Sequence, residues 1–131
     1  MINPIAMFTI PYIAPSLNRS LRQHWAARAK GNQFVQMLVK VRCPKVPRQK
    51  SGEIRHVTII RFGSRLLDVD NLAGSAKGIV DALRYAGVIA DDSPDRITLE
   101  FRQSRVPNGV APYTAISIDR EHGSQIGTSG E

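Results

Sequence analysis

The sequence is poor in cysteine and in long apolar runs, and each shortage excludes a class of protein. Cys43 is the one cysteine among 131 residues, so the chain can form no internal disulfide bond and no cysteine-based zinc site. No apolar segment approaches the eighteen or more residues of a membrane-spanning helix, and the N-terminus lacks the basic and apolar regions of a secretory signal. These shortages predict a protein of the reducing cytoplasm without a membrane partner.

Acidic residues are scarce in the first half of the chain. Residues 1–66 hold twelve Lys and Arg against Glu53 alone, whereas residues 67–131 hold six basic and ten acidic residues. A basic half suggests a surface that binds a polyanion, and the uneven distribution favours nucleic acid. The simpler alternative is a well-solvated surface that binds nothing in particular.

The hydrophobic patterns predict a single compact α+β domain with the order β-α-β-α-β-β. Four short strands, in a small mixed sheet, and two main helices account for them. The last two strands are expected to form a hairpin around Asn108-Gly109. The domain is predicted to span residues 1–119, and residues 120–131 are polar and glycine-rich, which is typical of a disordered tail.

The second predicted helix, residues 71–85, has the clearest pattern. Its apolar residues recur at helical spacing and form one stripe, and either Asp70 or Asn71 is a suitable N-cap. The first predicted helix, residues 19–42, is less regular because Gly31-Asn32 interrupts it. Its candidate inward residues are Trp25, Phe34, Val35, Leu38 and Val41.

Two acidic clusters flank the second helix. Asp68 and Asp70 precede it in a stretch expected to be extended, where alternation would point both side chains to one side. Asp91 and Asp92 follow it and can reach the first cluster only if the chain folds back after Gly87. Converging carboxylates would suit Mg²⁺ or Mn²⁺, and beside a basic surface such a site supports phosphodiester hydrolysis. The alternative is that the first cluster is a helix cap and the second a turn.

A spaced set of residues extends these clusters: Asp68-Val69-Asp70-Asn71-Leu72, then Lys77, Asp81-Ala82-Leu83, Gly87 and Asp91-Asp92. Upstream stand Pro15-Ser16-Leu17-Asn18-Arg19 and then His24-Trp25. Together they resemble the RusA family of Holliday-junction resolvases, common in phages and prophages, over most of residues 9–119. The resemblance implies a small homodimeric, magnesium-dependent endonuclease that resolves four-way DNA junctions in recombination and repair by paired symmetric nicks.

The resemblance also implies roles for individual residues. Asp68, Asp70 and Asp92 correspond to catalytic, metal-binding carboxylates, with Asp91 as the alternative ligand, and Lys77 corresponds to a functional lysine. Lys77 departs from the shortest family motifs, because it follows Asp70 by seven residues and not by four, which moves the amine ~4.5 Å along the helix. An i,i+4 pair with Asp81 is its alternative role.

The basic residues of the first half are the candidate DNA contacts, and they would position the backbone without reading bases. They are Arg19, Arg22, His24, Arg28, Lys30, Lys45, Arg48 and Lys50. A four-way junction has two-fold symmetry, so two identical sites related by the same axis make two matching cuts most simply. The competing hypotheses are a non-catalytic DNA- or RNA-binding protein and a metal-dependent hydrolase of a small phosphate ester.

Overall fold

The computed structural model describes residues 2–13 and 25–121, except for the side chains of residues 2, 3 and 25–29. In these ranges the elements are β1 (Ile2–Ile10), α1 (Trp25–Arg42), β2 (Ile54–Gly63), α2 (Val69–Tyr85), β3 (Ile97–Arg105) and β4 (Tyr113–Glu121). The predicted α+β class and the order β-α-β-α-β-β are therefore confirmed.

The four strands form one mixed sheet in the order β1-β4-β2-β3. β2 is parallel to β3 and antiparallel to β4, and β4 is also antiparallel to β1. The predicted hairpin of the last two strands is therefore wrong, because β2 lies between them. The helix α2 is the crossover that returns the chain parallel to β2, and the loop after β3 then crosses the end of β2, where the Val106 N–H donates to the Gly63 carbonyl over 3.0 Å.

The core lies between one face of the sheet and the two helices. The apolar stripe of α2 is confirmed at Ala76, Ile79, Val80 and Leu83, which are all buried, while Leu72 is only half-buried. In α1 the inward residues are Val35 and Val39. Two predicted inward residues of α1 are wrong, since Phe34 is 46% and Val41 74% exposed. Val35 and Val39 are four residues apart and therefore share the helix face that packs on the core. Phe34 and Val41 do not lie on this face.

Two boundaries also differ from the sequence prediction. The helix α1 continues through Gly31-Asn32 without a break. β4 extends to Glu121, so Arg120 and Glu121 pair in the sheet and do not belong to a tail; residues 122–131 lie outside the described residues. In the part of the chain that the structure describes, no helix is long and apolar enough to cross a membrane.

Candidate functional site

The first acidic cluster is the start of α2, with Asp68 as the N-cap. The Asp68 backbone is extended (φ −69°, ψ 168°), and its carbonyl accepts the first helical hydrogen bond, from the Leu72 N–H. One carboxylate oxygen accepts the Asn71 N–H at 2.8 Å and the other accepts the Asn71 side-chain amide at 2.9 Å. These bonds, the backbone one first, hold the pKa of Asp68 below its usual value. The predicted cap at Asp70 or Asn71 is therefore wrong by two or three residues.

Asp70 lies in the first turn of α2, beside the partial positive charge of the helix start. The extended stretch expected through Asp68 and Asp70 ends at Asp68, because the helix already begins at Val69. The alternation of an extended strand therefore does not relate the two side chains. Asp70 is exposed, and among the described residues none donates a hydrogen bond to its carboxylate.

The second acidic cluster lies in the turn between α2 and β3, residues 91–95, which we call the acidic turn. Gly87 has φ +79°, a left-handed conformation that ends the helix. Val88 and Ile89 are buried, so the segment after Gly87 lies against the core, but it does not bring Asp91 and Asp92 to the first cluster. The Asp91 carboxylate accepts the Asp92 N–H at 2.7 Å and thus stabilises the turn in which it lies. The exposed Asp92 carboxylate has no partner in the described part of the chain.

The two clusters lie at opposite ends of the sheet. The start of α2 follows the C-terminal end of β2, whereas the acidic turn precedes the N-terminal end of β3, and β2 and β3 are parallel. The 17 residues of α2 separate the clusters by about 25 Å. Among the described residues, no group of three His, Cys, Asp or Glu side chains is placed to hold a metal ion. The convergence of all four aspartates within one copy is therefore not observed.

Lys77 is exposed on α2, two turns beyond Asp70 and on the same face of the helix. The two residues are about 10 Å apart along the helix axis. Asp81, the alternative partner of Lys77, instead lies 3.8 Å from Arg84. Within the described ranges no carboxylate forms an ion pair with Lys77, so its amine points to solvent.

The candidate DNA contacts are only partly described. Arg19, Arg22 and His24 lie outside the described residues, and only the backbone of Arg28 is described. Lys30 is exposed on α1. The other three contacts are exposed on the loop of residues 43–53, which we call the basic loop: Lys45, Arg48 and Lys50. This loop lies against the segment that leads into the acidic turn, since Gln49 on the loop bonds Ala90.

A buried polar network joins the basic loop to the acidic turn, and the sequence reasoning missed it. Arg55 is 0% exposed. Its guanidinium donates to the Glu53 carboxylate at 2.8 Å, to the Val88 carbonyl at 2.6 Å and to the Pro47 carbonyl at 2.6 Å. Burial opposes ionisation of Glu53, but the Lys50 N–H and Arg55 outweigh it and hold the pKa of Glu53 below its usual value. The sequence offered one signal for this network. Inward and outward positions alternate along β2, and the alternation that buries residues 57 and 59 also places Arg55 inside.

A second polar contact holds the chain at the other end. The amide of Gln103 on β3 accepts the Leu67 N–H at 2.8 Å and donates to the Leu67 carbonyl at 2.6 Å. Leu67 immediately precedes the cap Asp68. Both acidic clusters are therefore preceded by a residue whose backbone is bound by a glutamine.

A scan against protein-family models gives no match, and a search of curated proteins finds no similar sequence.

Proposed function

We propose that this chain is a metal-dependent, structure-selective DNA endonuclease that nicks four-way junctions as a homodimer in the cytoplasm of a bacterial or phage-infected cell. The observation that carries the proposal is the pair of exposed carboxylates of Asp70 and Asp92, which the fold leaves without a described partner in a motif that resembles the RusA family. An exposed basic loop beside the acidic turn supports it, because phosphate contacts position DNA without reading its sequence.

Within one copy, the carboxylates of the two clusters cannot contact one divalent cation, because the acidic turn lies about 25 Å from the start of α2. Mg²⁺ is commonly held by one or two carboxylates while it keeps several waters, and Asp70 can supply one of them, whereas both Asp68 oxygens already serve the helix cap. Mn²⁺ accepts the same oxygen ligands. When bound, either ion would supply an activated water and a counter-charge for the leaving oxygen. The chain's own contribution is to place Asp70 in the first turn of α2 and to present Lys77 on the Asp70 face of the helix.

A second copy would complete the site. In a two-fold contact, residue i of one copy meets residue j of the other and the reverse. A contact between the start of α2 and the acidic turn of a second copy would therefore join Asp70 to the partner's Asp92 twice. Exposed apolar side chains at both ends of α2, Val69 at 80% and Tyr85 at 72%, support such a contact, because it would remove them from water.

Asp70→Asn tests the catalytic assignment. We expect the variant to bind a synthetic four-way junction as the parent does but to lose Mg²⁺-dependent cleavage on denaturing gels. Glu100→Gln on the exposed edge strand β3 is a matched control that removes one carboxylate and should cut at the parent rate. Parent-like cutting by Asp70→Asn would refute the assignment.

Mixing two inactive variants tests whether the site is shared between copies. We expect Asp70→Asn and Asp92→Asn each to be inactive alone. A mixed dimer, made by co-expression with two purification tags, would hold one site with both changes and one site with neither, so it should make single nicks. If each site belonged to one copy, every site in the mixed dimer would carry a change and no nick would appear.

A non-catalytic nucleic-acid-binding protein is the second candidate. It is favoured by Asp68, whose carboxylate is already occupied as a helix cap, and by the distance between the clusters within one copy. This candidate predicts binding that weakens steeply with salt and no product with Mg²⁺ or Mn²⁺. The junction-cleavage assay of the parent separates the two candidates directly.

A further inference from the structure

Two glutamines bind the backbone next to the candidate metal ligands. Gln103 bonds both the N–H and the carbonyl of Leu67, one residue before Asp68. Gln49 accepts the Ala90 N–H at 2.9 Å, one residue before Asp91, and donates to the Arg96 carbonyl at 2.7 Å, one residue after the acidic turn. Each contact joins segments that are 36 or more residues apart in sequence.

A primary amide suits this task because it carries a donor and an acceptor on one rigid group. Residues 67 and 90 lie outside the strands and helices, so their backbone groups need another partner where they are removed from water. With the backbone held on the preceding residue, the next aspartate keeps a fixed place relative to the sheet. The same reasoning explains Gln49, which holds the acidic turn at both of its ends.

The Gln49 contact is reinforced by the buried network. The Gln49 amide also donates to the Glu53 carbonyl at 2.8 Å, and Arg55 donates to the Val88 carbonyl. Well-packed apolar residues often give as much stability as a buried ion pair or more. The polar network instead fixes the position of residues 88–96, because its hydrogen bonds hold backbone groups in set directions. Apolar side chains would not do this.

We infer that Gln49 and Gln103 are positioning residues, which set the places of Asp92 and of Asp70 for the metal ion. The assignment rests on the proposed nuclease function for its chemistry. The mechanical part, that each amide orders one acidic segment, stands on the hydrogen bonds alone and can be tested without cleavage.

Hydrogen–deuterium exchange tests the mechanical part. In Gln49→Ala we expect faster exchange in residues 88–96 and parent-like exchange in residues 64–70, and in Gln103→Ala the reverse. Each variant is thus the control for the other. Parent-like exchange in both segments, or faster exchange spread over the whole chain, would overturn the inference even if the protein cuts no DNA.

Cleavage of a four-way junction over a range of Mg²⁺ concentrations tests the chemical part. Partners that orient metal ligands typically change metal affinity 10–100-fold, so we expect both variants to need roughly tenfold more Mg²⁺ or beyond for half-maximal rate. Their junction affinity in Ca²⁺ should match the parent's. Ile116→Val, a core change in the middle of β4 away from both acidic segments, controls for lost stability and should leave the Mg²⁺ requirement unchanged.

The outcomes separate the two proposals. A parent that cuts, with variants whose Mg²⁺ requirement is unchanged, refutes the positioning role and leaves the nuclease function intact. A parent that does not cut refutes the nuclease function, and the exchange experiment then still decides the mechanical part. Because Gln103 is only half-buried, its variant keeps the test available if Gln49→Ala does not fold.

Discussion

The two ends of α2 carry similar acidic groups that are held by different physical means. At the start of the helix, Asp68 is an exposed cap whose bonds reach only to the first helical turn. At the acidic turn, the backbone is tied to a buried network with a fully buried guanidinium at its centre. An N-cap side chain typically contributes about 1 kcal/mol and can be exchanged for another good cap, whereas loss of one partner of a buried charge costs about 3–5 kcal/mol. The two acidic clusters therefore carry the same chemical groups, but a local helix cap holds the first and a buried polar network holds the second.

The difference follows the placement of the basic residues. The acidic turn shares its supports with the basic loop, since Arg96 donates to the Lys50 carbonyl at 3.2 Å and Glu53 accepts the Lys50 N–H. A rigid connection here keeps the candidate phosphate contacts and Asp92 at a constant separation. The four changes below probe this comparison.

Arg55→Met should have the largest effect on stability. The change leaves the Glu53 carboxylate buried without its main partner, and removing one member of a buried pair costs about 3–5 kcal/mol. Urea unfolding should show the loss in the midpoint. The double change Arg55→Met with Glu53→Gln is the control, because it also removes the buried carboxylate charge, and it should recover part of the loss; the partly exposed Arg120, 3.9 Å from Glu53, keeps its charge in both variants. An Arg55→Met midpoint equal to the parent's would contradict the asymmetry between the two ends.

Neutralising the basic loop should have the next largest effect, on DNA affinity. Each phosphate contact contributes about one to the slope of log affinity against log salt, so Lys45→Gln with Arg48→Gln should lower the slope by about two. Fluorescence anisotropy with a labelled junction measures it. Arg102→Gln on β3, where Arg102 already pairs with Glu100 at 2.5 Å, is a control that should leave the slope unchanged. Equal slopes for the parent and the double variant would exclude the loop from the interface.

Acid should reduce the difference between parent and Glu53→Gln. The folded pKa of Glu53 is lowered, so its contribution to stability is present above the unfolded pKa, about 4.3, and is lost as pH falls through the folded value. The gap in urea midpoint should therefore narrow between pH 7 and pH 3. A gap that stays constant over this range would show that ionisation of Glu53 does not contribute.

Asp68→Asn should have the smallest effect on stability. Asparagine is nearly as good an N-cap as aspartate, so the change removes the charge at the helix start and keeps a cap. We expect a slight decrease in urea midpoint at pH 7 that fades in acid, because the pKa of Asp68 is also lowered. A decrease as large as that of Arg55→Met would mean that the two ends are supported alike.

Local patterns predicted the fold class well. The apolar stripe of α2 and the β-branched run of β2 each identify their element, because the buried residues recur at the spacing of a helix in α2 and of a strand in β2. The strand neighbours were predicted less well, because Ile97 and Tyr113 begin strands that are close in sequence but flank β2 on opposite sides. The cap was misplaced because Asp68, Asp70 and Asn71 are all competent caps, and only the backbone conformation of Asp68 selects among them.

The sequence by itself determined that an α+β domain carries a basic half and two acidic clusters around one amphipathic helix, since composition and period are local properties. Only the tertiary structure decided that the clusters lie at opposite ends of the sheet and that Gln49, Arg55 and Gln103 hold the chain beside them. The physical reason is that parallel pairing of β2 with β3, and side-chain bonds across 30 or more residues, depend on where distant segments pack and leave no periodic trace in either segment.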